Sequence, residues 1–190
     1  RFTQVPTGNP TFDAIVATQL PFNQSLPVKT SIKYPDLASI GFAFALTPEL
    51  LVEADVNRTG WGRFDELKID FTGAGQDRFD STIPEKWKSV LTYRAGVRWS
   101  VNPTSQWRLG LLYDKTPQPE QSVNPLLPDA DRTGLSLGYG YTGGSFKADF
   151  ALTYLDFKDR TRAKSFTGDG PFFGTYSTRA LLLGTTLSFP

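Results

Sequence analysis

The chain has no histidine and no cysteine in its 190 residues, and those two gaps remove much of side-chain chemistry. A Ser-His-Asp triad, a thiol nucleophile and a zinc site ligated by His or Cys cannot be built. No apolar run reaches the roughly 18 residues a transmembrane helix needs. Strands that cross a bilayer are half polar and leave no such run, so a membrane location stays open. The net charge is only +1, which argues against a nucleic-acid surface. A chain without cysteine suits passage through an oxidising periplasm, although cytosolic proteins can lack cysteine too. No charged segment followed by an apolar one opens the chain at Arg1, so no signal peptide is read. An exported protein would have lost it, or the chain has been cut.

What the chain does have is alternation. From Leu91 to Val101 the odd positions Leu91, Tyr93, Ala95, Val97, Trp99 and Val101 are apolar or small. The even positions Thr92, Arg94, Gly96, Arg98 and Ser100 are polar or glycine. Period-2 alternation marks a strand with two unlike faces. Asn102-Pro103-Thr104-Ser105 predicts a tight turn, after which Trp107, Leu109, Leu111 and Tyr113 carry the apolar face back. Strands of about ten to thirteen residues exceed the five or six usual in globular sheets. Trp99 and Trp107 flank the turn while Tyr93 and Tyr113 sit at the far ends, so aromatics bracket the apolar band as a bilayer selects. Arg94, Arg98, Arg108 and Asp114 on the opposite face point to a wet interior. For this hairpin alone, a soluble sandwich or lipocalin-like barrel with one wet face is the alternative.

Before the first strand, Phe12, Ile15, Val16 and Leu20 follow helical spacing, with Asn9 as N-cap, Pro10 as first helical residue and Pro21 as the stop. This predicts a short helix inside a loop segment over residues 1–27. A first spanning strand is read from Val28 to Leu46, interrupted but not shifted by Pro35, and Thr47-Pro48 turns it into a return strand from Glu49 to Phe71. The apolar face of that return strand moves from even positions (Leu50, Val52, Ala54, Val56) to odd ones (Leu67, Ile69, Phe71). Such a switch needs one extra residue, so a β-bulge is predicted near Thr59-Gly60-Trp61, turning Phe64, Glu66, Lys68 and Asp70 inward. Further alternation runs over Leu135–Tyr141 and Phe146–Tyr154 around a Gly143-Gly144 turn, and a last strand from about Gly174 carries Leu181, Leu183, Leu187 and Phe189 outward.

The result is seven long strands joined alternately by short turns at 47–48, 102–105 and 143–144 and by long loops at 72–87, 117–130 and 160–173. Short turns on one rim and long loops on the other describe an outer-membrane meander with its short turns in the periplasm. The expected fold is therefore all-β, an antiparallel transmembrane β-barrel portion over residues 28–190 preceded by an extracellular loop segment with a short helix. Glu53 and Asp55 share a face through the pleat alone, and a solvated wall accounts for them better than acid–base catalysis does.

Several stretches carry a resemblance: SIKYPDLASIGFAFALTPELLVEADVNRTGWGRFDELKIDF, YRAGVRWS, YDKTPQPEQSVNPLLPDADRTGLSLGYGY and LLLGTTLSF. Together they resemble the C-terminal half of the FadL-type outer-membrane transporters of long-chain fatty acids and other hydrophobic compounds, over nearly everything from residue 28 on. Asp114 with Thr116-Pro117, and Leu127-Pro128-Asp129 with Asp131-Arg132, are its most specific combination. The resemblance implies a monomeric barrel of 14 strands plugged by an N-terminal hatch. Ligand would be captured outside, held in an apolar lumen pocket and released sideways, with no cofactor or energy source. It also implies outer-membrane lipid and the barrel assembly machinery as partners. The hatch and the strands of the lateral opening have no counterpart in this sequence. Seven strands would leave first and last parallel, so the chain reads as a fragment, and Pro190 after Phe189 departs from the usual terminal aromatic.

A fatty acid needs an apolar groove for its tail and a cation or donors for its carboxylate. By resemblance Lys68 is the first candidate for the head group, with Arg94 assisting and Phe64, Leu51 and Leu112 touching the tail. Lys68 pairing with Glu66 or Asp70 on a wet wall is the plainer reading. Phe12, Ile15 and Val16 are read either as part of an extracellular capture groove or as packing that holds the loop to the rim. Trp61 is left open between pocket wall and girdle anchor. Asp129, Asp131 and Arg132 are expected to order their loop, and no EF-hand spacing supports calcium there. Passive uptake of hydrophobic molecules is thus the reading. A general-diffusion or structural barrel without a specific ligand is the alternative, and an outer-membrane hydrolase is disfavoured by the missing histidine.

Overall fold

The computed structural model describes the chain except residues 1–2, 21, 23–24, 74, 126–127, 164, 166–172 and 190. Pro21, Leu127, Pro190 and much of the third long loop therefore lie outside the described residues. In chain order the elements are helix α1 (Pro10–Gln19) and strands β1 (Val28–Thr30), β2 (Leu37–Ala45), β3 (Leu50–Thr59), β4 (Glu66–Phe71), β5 (Ser81–Pro84) and β6 (Val90–Asn102). They continue with β7 (Ser105–Asp114), β8 (Arg132–Thr142), β9 (Lys147–Phe157), β10 (Arg160–Arg162), β11 (Gly174–Tyr176) and β12 (Arg179–Ser188). The chain divides into two compact units, residues 1–32 with 66–83, and residues 33–65 with 84–190.

In the first unit α1 starts as its sequence predicts. The Asn9 side chain accepts a hydrogen bond from the Phe12 amide at 3.1 Å, with Pro10 at the first helical position. None of its residues is buried. Strands β1, β4 and β5 form a small antiparallel sheet in that order, and Arg78 reaches back to the Gln19 carbonyl at 3.1 Å.

The second unit is built on a seven-stranded sheet ordered β12-β9-β8-β7-β6-β3-β2, in which every strand pairs with the next one of the sheet in sequence. Local chemistry makes its hairpins. The Thr47 hydroxyl accepts from the amides of Glu49 and Leu50 at 3.2 and 3.1 Å, and the Asn102 side-chain oxygen Oδ1 accepts from the Thr104 amide at 2.9 Å. Such side-chain turns are why Thr and Asn sit there. The register then sorts every residue onto a face. One continuous outer rung reads Phe44, Val52, Val97, Leu109, Leu137, Leu152, Leu183 across all seven strands. The neighbouring inner rung reads Ala43, Glu53, Gly96, Gly110, Ser136, Thr153, Leu182.

The outer face is apolar and uncovered by protein, from Leu91 at 37 % exposure to Leu183 at 82 %. Leaving one such side chain in water rather than burying it costs about 1.5–3 kcal/mol, and a band this broad exceeds what a soluble monomer exposes. Hydrocarbon is the environment in which it is stable. Aromatic rings mark both ends of the band. Near the short turns Trp107 packs on Tyr139 with centroids 4.9 Å apart and Tyr141 on Phe146 at 5.4 Å, while at the other end Tyr93 stacks on Tyr113 at 6.4 Å.

Three expectations need correction. Residues 28–46 are not one strand, since β1 and β2 belong to different sheets. Residues 49–71 are likewise divided, and no β-bulge absorbs the parity change. Instead β3 ends at Thr59, a 3-10 turn covers Trp61–Arg63, and β4 resumes in the other sheet. The physical cause is at Gly60, whose amide donates to the Asp36 carbonyl at 2.8 Å and whose missing side chain leaves room for the Asp36 carboxylate. Phe64 consequently lies outside any strand. Finally, the long loops carry structure of their own: β5 lies within 72–87, and β10 pairs with β11 where a loop and the start of the last strand are expected.

Candidate ligand-binding groove

The inner face of the seven-stranded sheet lines a groove of about 730 Å³. Its middle rung holds Gly96 and Gly110 where side chains would otherwise stand, and the next rung toward the short turns adds Gly138 and Gly184. A Cβ on Gly96 would come within 3.3 Å of the Glu53 carboxylate, so glycine there lets Glu53 lie across the strand. Above this smooth floor Arg94 pairs with Asp55 at 3.2 Å, and below it Arg108 pairs with Asp149 at 2.7 Å. Arg98 stands between Leu51 and Arg108 in register.

A second hollow of about 490 Å³ borders the first, with Arg94 in the wall of both. It lies at the long-loop end and is walled by Trp61, Trp87, Lys115 and Arg132. Its aromatic wall is a packed trio. Trp87 meets Trp61 edge-on at 4.9 Å and Phe64 at 5.1 Å, and Phe64 is buried behind them. Trp87 is fixed by two bonds, its indole N–H donating to Glu85 at 2.8 Å and its amide donating to the Phe64 carbonyl at 3.1 Å. Glu85 is itself buried, and removal from water pushes its carboxyl above the usual 4.5, against the opposing pull of its hydrogen bonds.

Beside this hollow the loop after β7 is tied into a knot. Thr116 donates through its amide to Asp131 at 2.9 Å and through its hydroxyl to Asp129 at 2.6 Å. Arg160 donates to the carbonyls of Asp129 and Gln118 at 3.1 and 2.9 Å, and Arg162 to that of Val123 at 2.7 Å. Arg132 bridges Asp114 and Asp129 with its guanidinium over the Phe157 ring. Val123 is fully buried and Gln118 nearly so. Asp129, Asp131 and Arg132 therefore order the loop, as their spacing suggests.

The residues nominated from sequence are brought together only in part. Leu51, Arg94 and Leu112 line the groove. Phe64 backs the aromatic wall. Lys68 belongs to the other compact unit, where it pairs with Glu66 at 2.9 Å, and that hydrogen bond and charge raise its pKa. Phe12 and Ile15 are more than half exposed on α1, Val16 less so. Ile15 borders a shallow apolar hollow on that helix with Pro10, Ala14 and Thr18. Sequence reasoning does not nominate Arg98, Arg108, Asp149, Trp87 or Lys115. The period-2 parity marks the first two as inward-facing, but their partners depend on register between distant strands.

Known proteins resemble this chain in sequence and in fold. The family model described as outer membrane protein transport protein (OMPP1/FadL/TodX) matches residues 5–190. A long-chain fatty acid transport protein of Salmonella typhi is 23 % identical over 192 residues, covering 96 % of this chain and 42 % of that protein. The crystal structure of a Pseudomonas aeruginosa FadL homologue superposes with a TM-score of 0.71 at 23 % identity, over 82 % of this chain and 35 % of that one. The Ralstonia pickettii toluene transporter TbuX gives a TM-score of 0.54 at 17 % identity, over 85 % of this chain and 35 % of that one. The chain thus spans less than half the length of the relatives it matches.

Proposed function

From the premise that the chain belongs to the OMPP1/FadL/TodX family of outer-membrane transport proteins, we propose that it forms one side of a closed 14-stranded barrel for passive uptake of hydrophobic small molecules across the Gram-negative outer membrane. Family membership supports a transporter rather than an enzyme, in the outer membrane as a multi-span β-barrel. Residues 1–27 would serve as an extracellular segment, outer-membrane lipid would cover the apolar face, and the barrel assembly machinery would insert the full-length monomer.

The observation that carries this reading is an aromatic-walled hollow and a glycine-floored groove that share Arg94 as a wall. A hydrophobic cargo entering at the Trp61–Trp87 wall meets Leu112 and Leu51 next, on a floor with little to obstruct an alkyl chain. Arg94 would meet a polar head group at the junction, with Phe64 supporting the tail through Trp61 and Trp87. Lys68 would contribute to capture, together with Phe12, Ile15 and Val16 on α1.

Relatives of this chain include a long-chain fatty acid transporter and a toluene transporter. We read the cargo as long-chain fatty acids or similarly hydrophobic molecules. The half-exposed ion pairs Arg94–Asp55 and Arg108–Asp149 favour one other reading, a general-diffusion wall without a specific ligand. The full-length protein in liposomes separates the two. Uptake of oleate or toluene without swelling in sugar solutions is expected, and porin-like sugar swelling without binding of either hydrophobe would overturn hydrophobic uptake in favour of general diffusion.

A further inference from the structure

A third hollow, of about 330 Å³, lies against the loop knot, with Lys88, Thr116, Asp131, Lys158 and Arg160 in its lining. Lys88 stands just before β6 and Lys158 just after β9. The knot fixes both backbones. The Lys88 amide donates to the Pro117 carbonyl at 2.9 Å, and the Lys158 amide to the Asp131 carbonyl at 2.8 Å. Both side chains are exposed. Among the described residues no carboxylate oxygen lies within 4.0 Å of either ammonium. Arg160 donates to carbonyls, which cancel none of its charge. Asp131 is the one acid in the described lining, and its carboxylate already accepts from the Thr116 amide at 2.9 Å. The lining therefore carries an excess of two positive charges (three cations less one acid). Its depth follows from the sheet. Tyr93, Tyr113, Thr133 and Asp156 form one outer rung, the aromatic end of the apolar band. Lys158 has the parity of Asp156 and lies two residues (158 less 156) beyond it, about 7 Å along the strand. That is the level of lipid head groups, a layer about 5–7 Å thick outside the hydrocarbon.

We propose that this hollow docks the phosphate of an outer-leaflet glycolipid, gripped by Lys88 and Lys158 in the field of Arg160, and that the bound lipid seats the long-loop rim in the membrane. An ammonium on a flexible stem is a mobile point charge that suits a phosphate. The two lysines come from opposite sides of the knot, so one phosphate between them ties the start of β6 to the end of β9. The acyl chains of the same molecule lie over the apolar face directly below, along Tyr113, Leu135 and Tyr154. A phosphorylated lipid thus matches both the charge of the hollow and the hydrophobic column beneath it, whereas free phosphate matches only the first. The proposal rests on the barrel reading above for its orientation, long loops outward, and asks nothing of the cargo.

The test measures lipid held by the full-length protein in detergent, by native mass spectrometry at low salt, with gel mobility of the unheated barrel as the folding check. The probes are diphosphoryl lipid A, the same lipid stripped of its phosphates, and inorganic phosphate. Unaltered protein is expected to hold the diphosphoryl form about tenfold more tightly than the stripped form, two surface lysines at roughly fivefold each being offset in part by Asp131. Lys158→Gln is expected to cut that preference about fivefold, and Lys158→Arg to keep it. Lys147→Gln, at the short-turn end of β9, is expected to leave it unchanged. Equal retention of the two lipids by unaltered protein overturns the proposal even if no variant folds. So does an equal loss in Lys147→Gln and Lys158→Gln, which reports net charge alone. Inorganic phosphate that displaces the lipid overturns it in favour of a free-anion site. A loss confined to Lys147→Gln overturns it together with the orientation of the barrel. No cargo enters the measurement, so failure of the uptake reading does not alter its outcome.

Discussion

On the groove wall the pairs Arg94–Asp55 and Arg108–Asp149 keep between 38 and 52 % of their side chains exposed, whereas in the loop knot Arg132 and Asp114 keep 34 and 18 %. The residue types are the same and their roles differ. The wall is held by continuous backbone ladders across seven strands and by an apolar outer face, so its ion pairs are spared structural duty and, on the uptake reading, are free to meet cargo. The loop after β7 lies outside those ladders. Its carbonyls and carboxylates are satisfied by side chains instead, through Thr116, Arg132, Arg160 and Arg162. On the uptake reading, stability and cargo contact are divided along the length of the same strands, with Arg132 at the boundary because it also lines the aromatic hollow.

The largest test of that separation is Arg132→Met. It leaves Asp114 and Asp129 without their shared cation in a partly dry cluster, and a loss of about 2 kcal/mol is expected. The denaturant midpoint of the full-length protein in micelles measures it. A shift no larger than that of the matching wall variant, Arg94→Met, would break the comparison. A smaller loss, about 1 kcal/mol, is expected for Thr116→Val, which removes the hydroxyl donor to Asp129 and the acceptor of the Gln118 amide. Amide exchange at Gln118 and Asp131 should quicken while exchange along β7 and β8 stays unchanged. Equal quickening in the strands would mean that knot and wall unfold together.

Glu85 sharpens the boundary between the two regions, since it is buried in the loop and fixes Trp87 on the wall of the aromatic hollow. Burial raises its pKa, so the folded state binds the proton more tightly than the unfolded chain does. Stability from the neutral form is present at low pH and declines as pH rises above 4.5 through the raised value. Trp fluorescence during thermal unfolding is therefore expected to report a lower midpoint at pH 8 than at pH 5. Glu85→Gln should flatten that dependence, and an unchanged slope would mean the carboxyl is not the titrating group.

How much of this was legible beforehand follows from which interactions are local. Alternation around Trp99 and Trp107 showed the hairpin and both faces, because the pleat acts residue by residue. Asn9 and Pro10 marked the helix start for the same reason. The parity change after Val56 was visible, but a bulge and a break leave the same trace in sequence. Choosing between them needed the bond between Gly60 and Asp36, which are 24 positions apart (60 less 36). Among the groove residues, parity could name Arg94, Arg98 and Arg108 as inward. It could not show that two of them are neutralised, because Asp55 and Asp149 reach them only through the register of other strands.

The smallest expected change in stability is also the one that says most about the wall. Arg94→Met breaks a half-exposed pair, and exposed pairs contribute from nothing to about 1 kcal/mol. A shift within about 0.5 kcal/mol is therefore expected in the denaturant midpoint. Arg94 borders both the aromatic hollow and the groove, so the same variant should alter ligand binding, weakening oleate more than its methyl ester. High salt should shrink the effect in unaltered protein, since a charge in a wet groove is screened while a dry one is not. If Arg94→Met instead unfolds the barrel, the wall depends on its ion pairs as the loop knot does. The groove would then be a structural seam with cargo passing elsewhere, and the division of labour between the two regions would be lost.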